Sequence, residues 1–317
     1  MGLGKLYERL ALTSPYVEVS LRMLYWKNVK RLGRLNPNRH SASSDSTTER
    51  NEVSFEKIKD WLNNQGVREG SLIIVHSSYD NLAGCGLKPN EIIKELRILI
   101  GETGTLAMPV IRHYKELPPV DEWMYSDFSN IVCRYDPKRT PVSSGLMPSI
   151  LMREKKAEVS LHPLNTLAAV GPLASPMMEH NLDGEKPSPH GPYSSWKYCL
   201  DHDAIIVALG VPMIHHLTIA HVSDEAFDTT PFKDWYHELQ FDIVMPDKTV
   251  ERRIVRDRKP KWGMIHDAEL NFGKDLEKAG VMHLTNIDGV EVGVVHSLEL
   301  IRFMKNHKNK AYPYYKF

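Results

Sequence analysis

A threonine, a histidine and an aspartate stand three residues apart in the stretch Thr218-Ile219-Ala220-His221-Val222-Ser223-Asp224-Glu225. On a helix that spacing brings Thr218, His221 and Asp224 to nearly one face. An imidazole beside a carboxylate pairs a general base with the group that orients it. The stretch begins shortly after the apolar run Ala204-Ile205-Ile206-Val207-Ala208-Leu209-Gly210-Val211, which predicts a buried strand closing on a glycine. Reactive groups of α/β proteins collect where strands end and helices begin. A plainer reading stands beside this one: a helix with one structural histidine and an ordinary acidic turn.

Other histidines carry similar alternatives. His162, before Pro163, is either a second polar group of the cleft or a loop histidine tied to a backbone carbonyl. His180 and His190 read as structural or substrate-side residues. His215 and His216 with His221 raise the question of zinc. Neighbouring residues point apart on any regular element, and no H-E-x-x-H or cysteine pair accompanies them, so no metal is expected. The loop around 111–135 mixes Glu116, Asp121, Glu122 and Asp127 with Tyr114, Trp123, Tyr125 and Phe128. Carboxylates and aromatic faces suit an amino-sugar cation, and they equally suit a solvated acidic loop.

The elements that must position these groups are legible in outline. Ser54 starts a helix that Gly66 ends, and Leu72–His76 is a central strand. Pro89 opens a helix through Ile100, and Gly104–Val110 is a second buried strand. Strand, helix and strand at this spacing predict a parallel pair with a right-handed crossover. From Ile111 to Thr140 the pattern breaks into a long loop. Further predictions are a helix over 144–153, a strand over 167–171, a hairpin of 241–245 with 249–255, a helix over 272–279, strands over 281–283 and 290–296, and a closing helix over 297–306. The expected fold is α/β, with a mostly parallel central sheet flanked by helices and an added C-terminal β-rich portion. Residues 1–50 form a basic N-terminal arm and linker, and 51–317 the main domain.

In the arm, Leu6, Leu10, Val17, Leu21, Leu24 and Tyr25 alternate with Lys5, Arg9, Arg22, Lys27, Lys30, Arg31 and Arg34. It either packs on the body or on a second subunit of a homodimer, or it lies on an anionic membrane surface. Pro15 interrupts the periodicity and favours packing. The polar run 36–48 reads as a linker. Formal net charge is zero over 317 residues, which removes any global pull toward nucleic acid. The cysteines Cys85, Cys133 and Cys199 are scattered, and no apolar run reaches transmembrane length. The cytoplasm is the expected compartment, with a peripheral position at the inner membrane face as the alternative.

Several patches converge in order: Val75-His76-Ser77-Ser78, Gly104-Thr105-Leu106-Ala107-Met108-Pro109, Asp136-Pro137-Lys138-Arg139-Thr140-Pro141 leading into Ser143-Ser144-Gly145-Leu146, Leu161-His162-Pro163-Leu164-Asn165-Thr166, Leu209-Gly210-Val211, and Thr218 through Asp224. Across about residues 55–300 the chain resembles the aminoglycoside 3-N-acetyltransferase family. The resemblance implies acetyl-CoA as donor and an amine on a sugar as acceptor. It places Thr218-x-x-His221-x-x-Asp224 where the family has Thr-x-x-His-x-x-Glu. Aspartate is one methylene shorter, so either Asp224 or the adjacent Glu225 is the orienter. Val142 stands where the family more often has serine.

For the coenzyme, His76, Ser77 and Ser78 offer polar groups at a strand's carboxyl end, Met108 lies in the neighbouring strand, and Ser143, Ser144 and Gly145 offer an anion-friendly helix start. The competing reading of these serines is capping and turn chemistry. The neutral chain and basic arm lean the acceptor toward an amino sugar of a surface polysaccharide, free or carried on a nucleotide, over an aminoglycoside antibiotic. Two other classes stand beside these: a noncatalytic CoA- or sugar-binding relative, and a hydrolase, which would lack a G-x-S-x-G elbow.

Overall fold

The computed structural model describes residues 3–32, 52–227, 233–265 and 268–306. In chain order the strands are β1 (Leu72–Ser77), β2 (Thr105–Pro109), β3 (Val132–Tyr135), β4 (Glu158–Val159), β5 (Leu167–Val170), β6 (Ile205–Leu209), β7 (Tyr236–Val244), β8 (Val250–Arg258), β9 (Met282–Ile287) and β10 (Val290–His296). The main sheet runs β4-β5-β2-β1-β6-β10-β9, and a smaller one runs β3-β7-β8.

The heart of the main sheet is the parallel trio β2-β1-β6, in which Ile73 lies opposite Leu106 and Ile205. Successive side chains of a strand point to opposite faces. Ile73 and Val75 therefore join the layer containing Ile58, Leu62, Ile92 and Leu96, while Ile74 joins Trp196, Leu200, Phe272 and Leu300 on the other side. Strands apolar on both faces must be covered twice, and helices on each side do this. Antiparallel strands close both margins: β5 and β4 beyond β2, β10 and β9 beyond β6.

The C-terminal β structure expected from the sequence divides. β9 and β10 complete the main sheet, and β7 and β8 form the second sheet with β3. The β7–β8 hairpin is longer than its apolar pattern, because Leu239, paired with Val255, continues its buried face. β3 lies inside the stretch expected to be loop, where Cys133 and Tyr135 are buried on either side of exposed Arg134. The helix expected over 144–153 is confined to Leu146–Leu151. Ser144 stays outside it because its hydroxyl donates to the Pro109 carbonyl and accepts from the Ile111 N–H, and Gly145 turns the chain at φ 111°.

Pro15 does not simply break the arm. It opens the helix Pro15–Lys27, with Ser14 accepting from the Tyr16 N–H. That helix packs against the body, with Glu18 fully buried and Arg22 paired to Glu269 at 2.9 Å. The linker expected over 36–48 lies outside the described residues. Among the described residues no helix is long and apolar enough to cross a membrane.

Candidate active site

β6 delivers the chain to the site. Gly210 follows it at φ 68°, with its carbonyl held by Asn81 Nδ2 at 2.7 Å. A Cβ there would meet the Asn81 side chain at 2.8 Å, so the close approach and the left-handed backbone both call for glycine. Two 3₁₀ turns follow, Met213–His216 and Thr218–His221, and then the short helix Val222–Glu225. Buried Ile219 and Val222 pin this segment to the core. The expected shared face is present, although a 3₁₀ turn builds its first half. Thr218, His221 and Asp224 line one small cavity of about 70 Å³, together with His215, Glu269 and Phe272.

Glu225 turns away from that cavity. Its Oε1 lies 3.4 Å from His190 Nδ1 and 3.7 Å from Arg258 Nε. Burial opposes its ionisation, but His190 and Arg258 outweigh burial and hold the carboxyl below the usual range. Arg258 Nη1 is also 2.8 Å from His221 Nδ1. A guanidinium only donates, so Nδ1 accepts and the neutral ring carries its proton on Nε2. The His190 and His221 rings are 5.3 Å apart. Arg258 thus bridges Glu225 and His221, whereas Asp224 stands on the same cavity wall as the imidazole.

His162 is the backbone-tied loop histidine, not a cleft residue. It is 3% exposed, its Nδ1 accepts from the Leu164 N–H at 3.3 Å, and its Nε2 lies 3.3 Å from the Pro187 carbonyl. Burial pushes its pKa down to about 4 despite those backbone contacts. Its effect is to hold the segment that carries Ser188 and His190. Met108, expected at the coenzyme, is wholly buried in the core and presents no surface to a ligand. Alternation along β2 sends it into the helix-covered layer.

The remaining coenzyme candidates sit at the carboxyl end of β1 and beside β2. His76 packs its ring 5.0 Å from His216, and burial, followed by His216, lowers its pKa to about 3. Ser77 donates to the Met147 sulfur, and the Ser78 N–H donates to the Leu209 carbonyl. Ser143 donates to the Ile111 carbonyl, while Gly145 is exposed at the helix start. His215 Nδ1 lies 3.0 Å from Glu269, whose hydrogen bond raises its pKa. Among the described residues no group of three His, Cys, Asp or Glu is arranged to hold a metal.

Two larger cavities adjoin the β7–β8 hairpin. One, of about 520 Å³, is lined by Trp123, Asp127 and Phe128 of the aromatic-acidic loop and by His237, Glu238, Lys259 and Lys261. The other, of about 360 Å³, is lined by Asp183, Lys186, Ser188, Tyr193 and Arg256. Arg258, Arg256 and Tyr236 were not among the sequence candidates. The available signal was Arg256 and Arg258 two apart on a strand, hence on one face. Opposite them in the hairpin stand Glu238 and Tyr236.

The sequence model described as aminoglycoside 3-N-acetyltransferase matches residues 74–307. Aminoglycoside N(3)-acetyltransferase IX of Micromonospora chalcea is 29% identical over 192 residues, covering 56% of this chain and 66% of that protein. Aminoglycoside N(3)-acetyltransferase VIII of Streptomyces fradiae is 25% identical over 254 residues, covering 75% and 85%. The crystal structure of aminoglycoside acetyltransferase AAC(3)-IIb shares the fold at TM-score 0.66 and 21% identity, over 83% of this chain and 99% of that one. AAC-IIIb, solved as a binary complex with CoASH, shares it at TM-score 0.61 and 16% identity, over 79% and 95%. With the ordered motifs, the sheet that presents them and a family match over most of the chain in agreement, this protein belongs to the aminoglycoside 3-N-acetyltransferase family.

Proposed function

We propose that the chain transfers the acetyl group of acetyl-CoA to a primary amine of an aminoglycoside or a related amino sugar. The observation that carries this reading is the His221 imidazole, its Nδ1 met by Arg258 Nη1, on a cavity wall shared with Thr218 and Asp224. Its relatives by sequence are named aminoglycoside N(3)-acetyltransferases, and one structural neighbour was solved with CoASH. These relatives favour an aminoglycoside over the surface-polysaccharide acceptor that overall charge suggested.

In the proposed reaction the amine nitrogen attacks the thioester carbonyl carbon and the carbon–sulfur bond breaks. The amine proton passes to His221 and then to the departing thiolate, so no charge is left behind. Such general-base help is worth about 10²–10⁴-fold. Nδ1 can accept that proton only after Arg258 Nη1 withdraws, and an acceptor N–H would take its place. Asp224 supports the imidazolium, and Thr218 or backbone N–H groups at the turn face the oxyanion. Direct attack suits the cysteines: burial pushes the Cys133 thiol up to about 12 and the Cys199 thiol higher, away from nucleophilic thiolate. For the coenzyme we propose His76, Ser77, Ser78, Ser143, Ser144 and Gly145 as the lining.

The test is thiol release from acetyl-CoA with a panel of aminoglycosides, simple amino sugars and nucleotide-linked amino sugars, with products checked by mass. Release that depends on an aminoglycoside supports the reading. Release only with nucleotide-linked sugars would return the acceptor to glycan synthesis. Amine-independent release would make the protein a hydrolase.

A further inference from the structure

The helix Glu269–Lys278 places Glu269 and Phe272 in the lining of the cavity that also holds His221. Its first turn leaves N–H groups that need acceptors, and its N-cap is Ala268, which has no side-chain oxygen. The acceptor comes from some 250 residues earlier in the chain. Glu18, 0% exposed, accepts from the Leu270 N–H at 2.8 Å, the Asn271 N–H at 3.0 Å and Asn271 Nδ2 at 2.7 Å. Asn271 Nδ2 also donates to the Ala11 carbonyl at 2.9 Å. A buried carboxylate on a helix N-terminus satisfies its donors and complements its dipole.

One turn further along the arm, Arg22 grips both oxygens of Glu269, at 2.9 and 3.4 Å. The same Glu269 holds His215. Gly273 of the helix lies so close to Ile214 that a Cβ would meet that side chain at 2.8 Å. A displacement of the helix is therefore felt directly by the Met213–His216 turn leading to His221. The arm also holds the far cavity's loop: Lys30 pairs with Glu122 at 3.2 Å, and the Tyr125 hydroxyl donates to the Lys27 carbonyl.

From these contacts we infer that the N-terminal helix Pro15–Lys27 is a positioning element of the active site, with Glu18 and Arg22 setting the helix wall of the cavity that His221 lines. This segment precedes the matched family region, which begins at residue 74. Glu18 acts through the first turn of the helix and Arg22 through Glu269 and His215, so neither need touch substrate. The activity arm of the test rests on the proposed acetyl transfer.

Full-length Glu18→Gln/Arg22→Met is compared with parent and with Arg22→Lys, well below the melting temperature of each. kcat/KM for the amine falls about tenfold or more in the double variant, in line with the penalty for sub-ångström misplacement. Its pH–rate profile shifts as Glu269 and His215 lose their cation, and Arg22→Lys recovers most of the activity. Unchanged kcat/KM and profile, with or without a lower melting temperature, would overturn the inference and leave the arm as ordinary packing. Amide hydrogen exchange separates this from failure of the acetyl-transfer reading. If the parent transfers nothing, faster exchange in both 269–278 and 213–225 of the double variant still supports the positioning role. Faster exchange confined to 269–278, or none, overturns it.

Discussion

Arg258 Nη1 donates to His221 Nδ1 across 2.8 Å while its Nε lies 3.7 Å from the fully buried Glu225. One guanidinium thus occupies the lone pair a base needs and neutralises a carboxylate that has no access to water. Removing it would take the guanidinium away from Glu225 and leave the carboxylate beside the His190 ring. Breaking one side of a buried ion pair costs about 3–5 kcal/mol. Arg258→Met is accordingly expected to lose stability on that scale in urea unfolding. A loss below about 1 kcal/mol would place this contact among the weak surface pairs.

Adjacent carboxylates have separate tasks. Asp224 lines the cavity with His221, whereas Glu225 faces His190 and Arg258. Asp224→Asn should reduce kcat by about two decades, the scale of losing general-base assistance, with stability close to parent. Glu225→Gln should chiefly lower stability, because it leaves the Arg258 charge poorly compensated. Steady-state kinetics alongside denaturant titration of the two variants checks this, and the reverse pattern would exchange their roles.

Stability should fall on mild acidification. Burial lowers His76 to about 3 and His162 and His237 to about 4, from an ordinary value of 6.5. Such histidines contribute stability that is present above the unfolded pKa and lost as pH falls toward the folded one. Asp257 works the other way. Burial raises it to about 6 from 3.8, so its contribution is present below 3.8 and lost as pH rises through 6. Three histidines outweigh one aspartate, and the urea midpoint should drop between pH 6.5 and 4. His76→Gln should shallow that drop, and a midpoint flat over the window would contradict the assignment.

What the sequence made legible follows from periodicity. The buried runs of β1, β2 and β6 are near-continuous apolar stretches, and the three-residue spacing of Thr218, His221 and Asp224 survives as a shared cavity wall. Groups brought together by pairing were harder to see. Arg258 reaches His221 because the β7–β8 hairpin folds back over the helix Val222–Glu225, and no local pattern encodes that crossing. Glu18 as the cap of a helix 252 residues away is of the same kind. Met108 misled because it belongs to the right strand but points into the core, and β3 was hidden by the surrounding polar loop.

The most direct test of the central claim compares His221→Ala with parent in acceptor-dependent thiol release from acetyl-CoA, with CoA affinity measured on the same preparations. The expected result is a fall in kcat of about two or more decades with CoA binding nearly intact. A variant that loses CoA affinity yet turns over normally per bound complex would show that His221 is not the base.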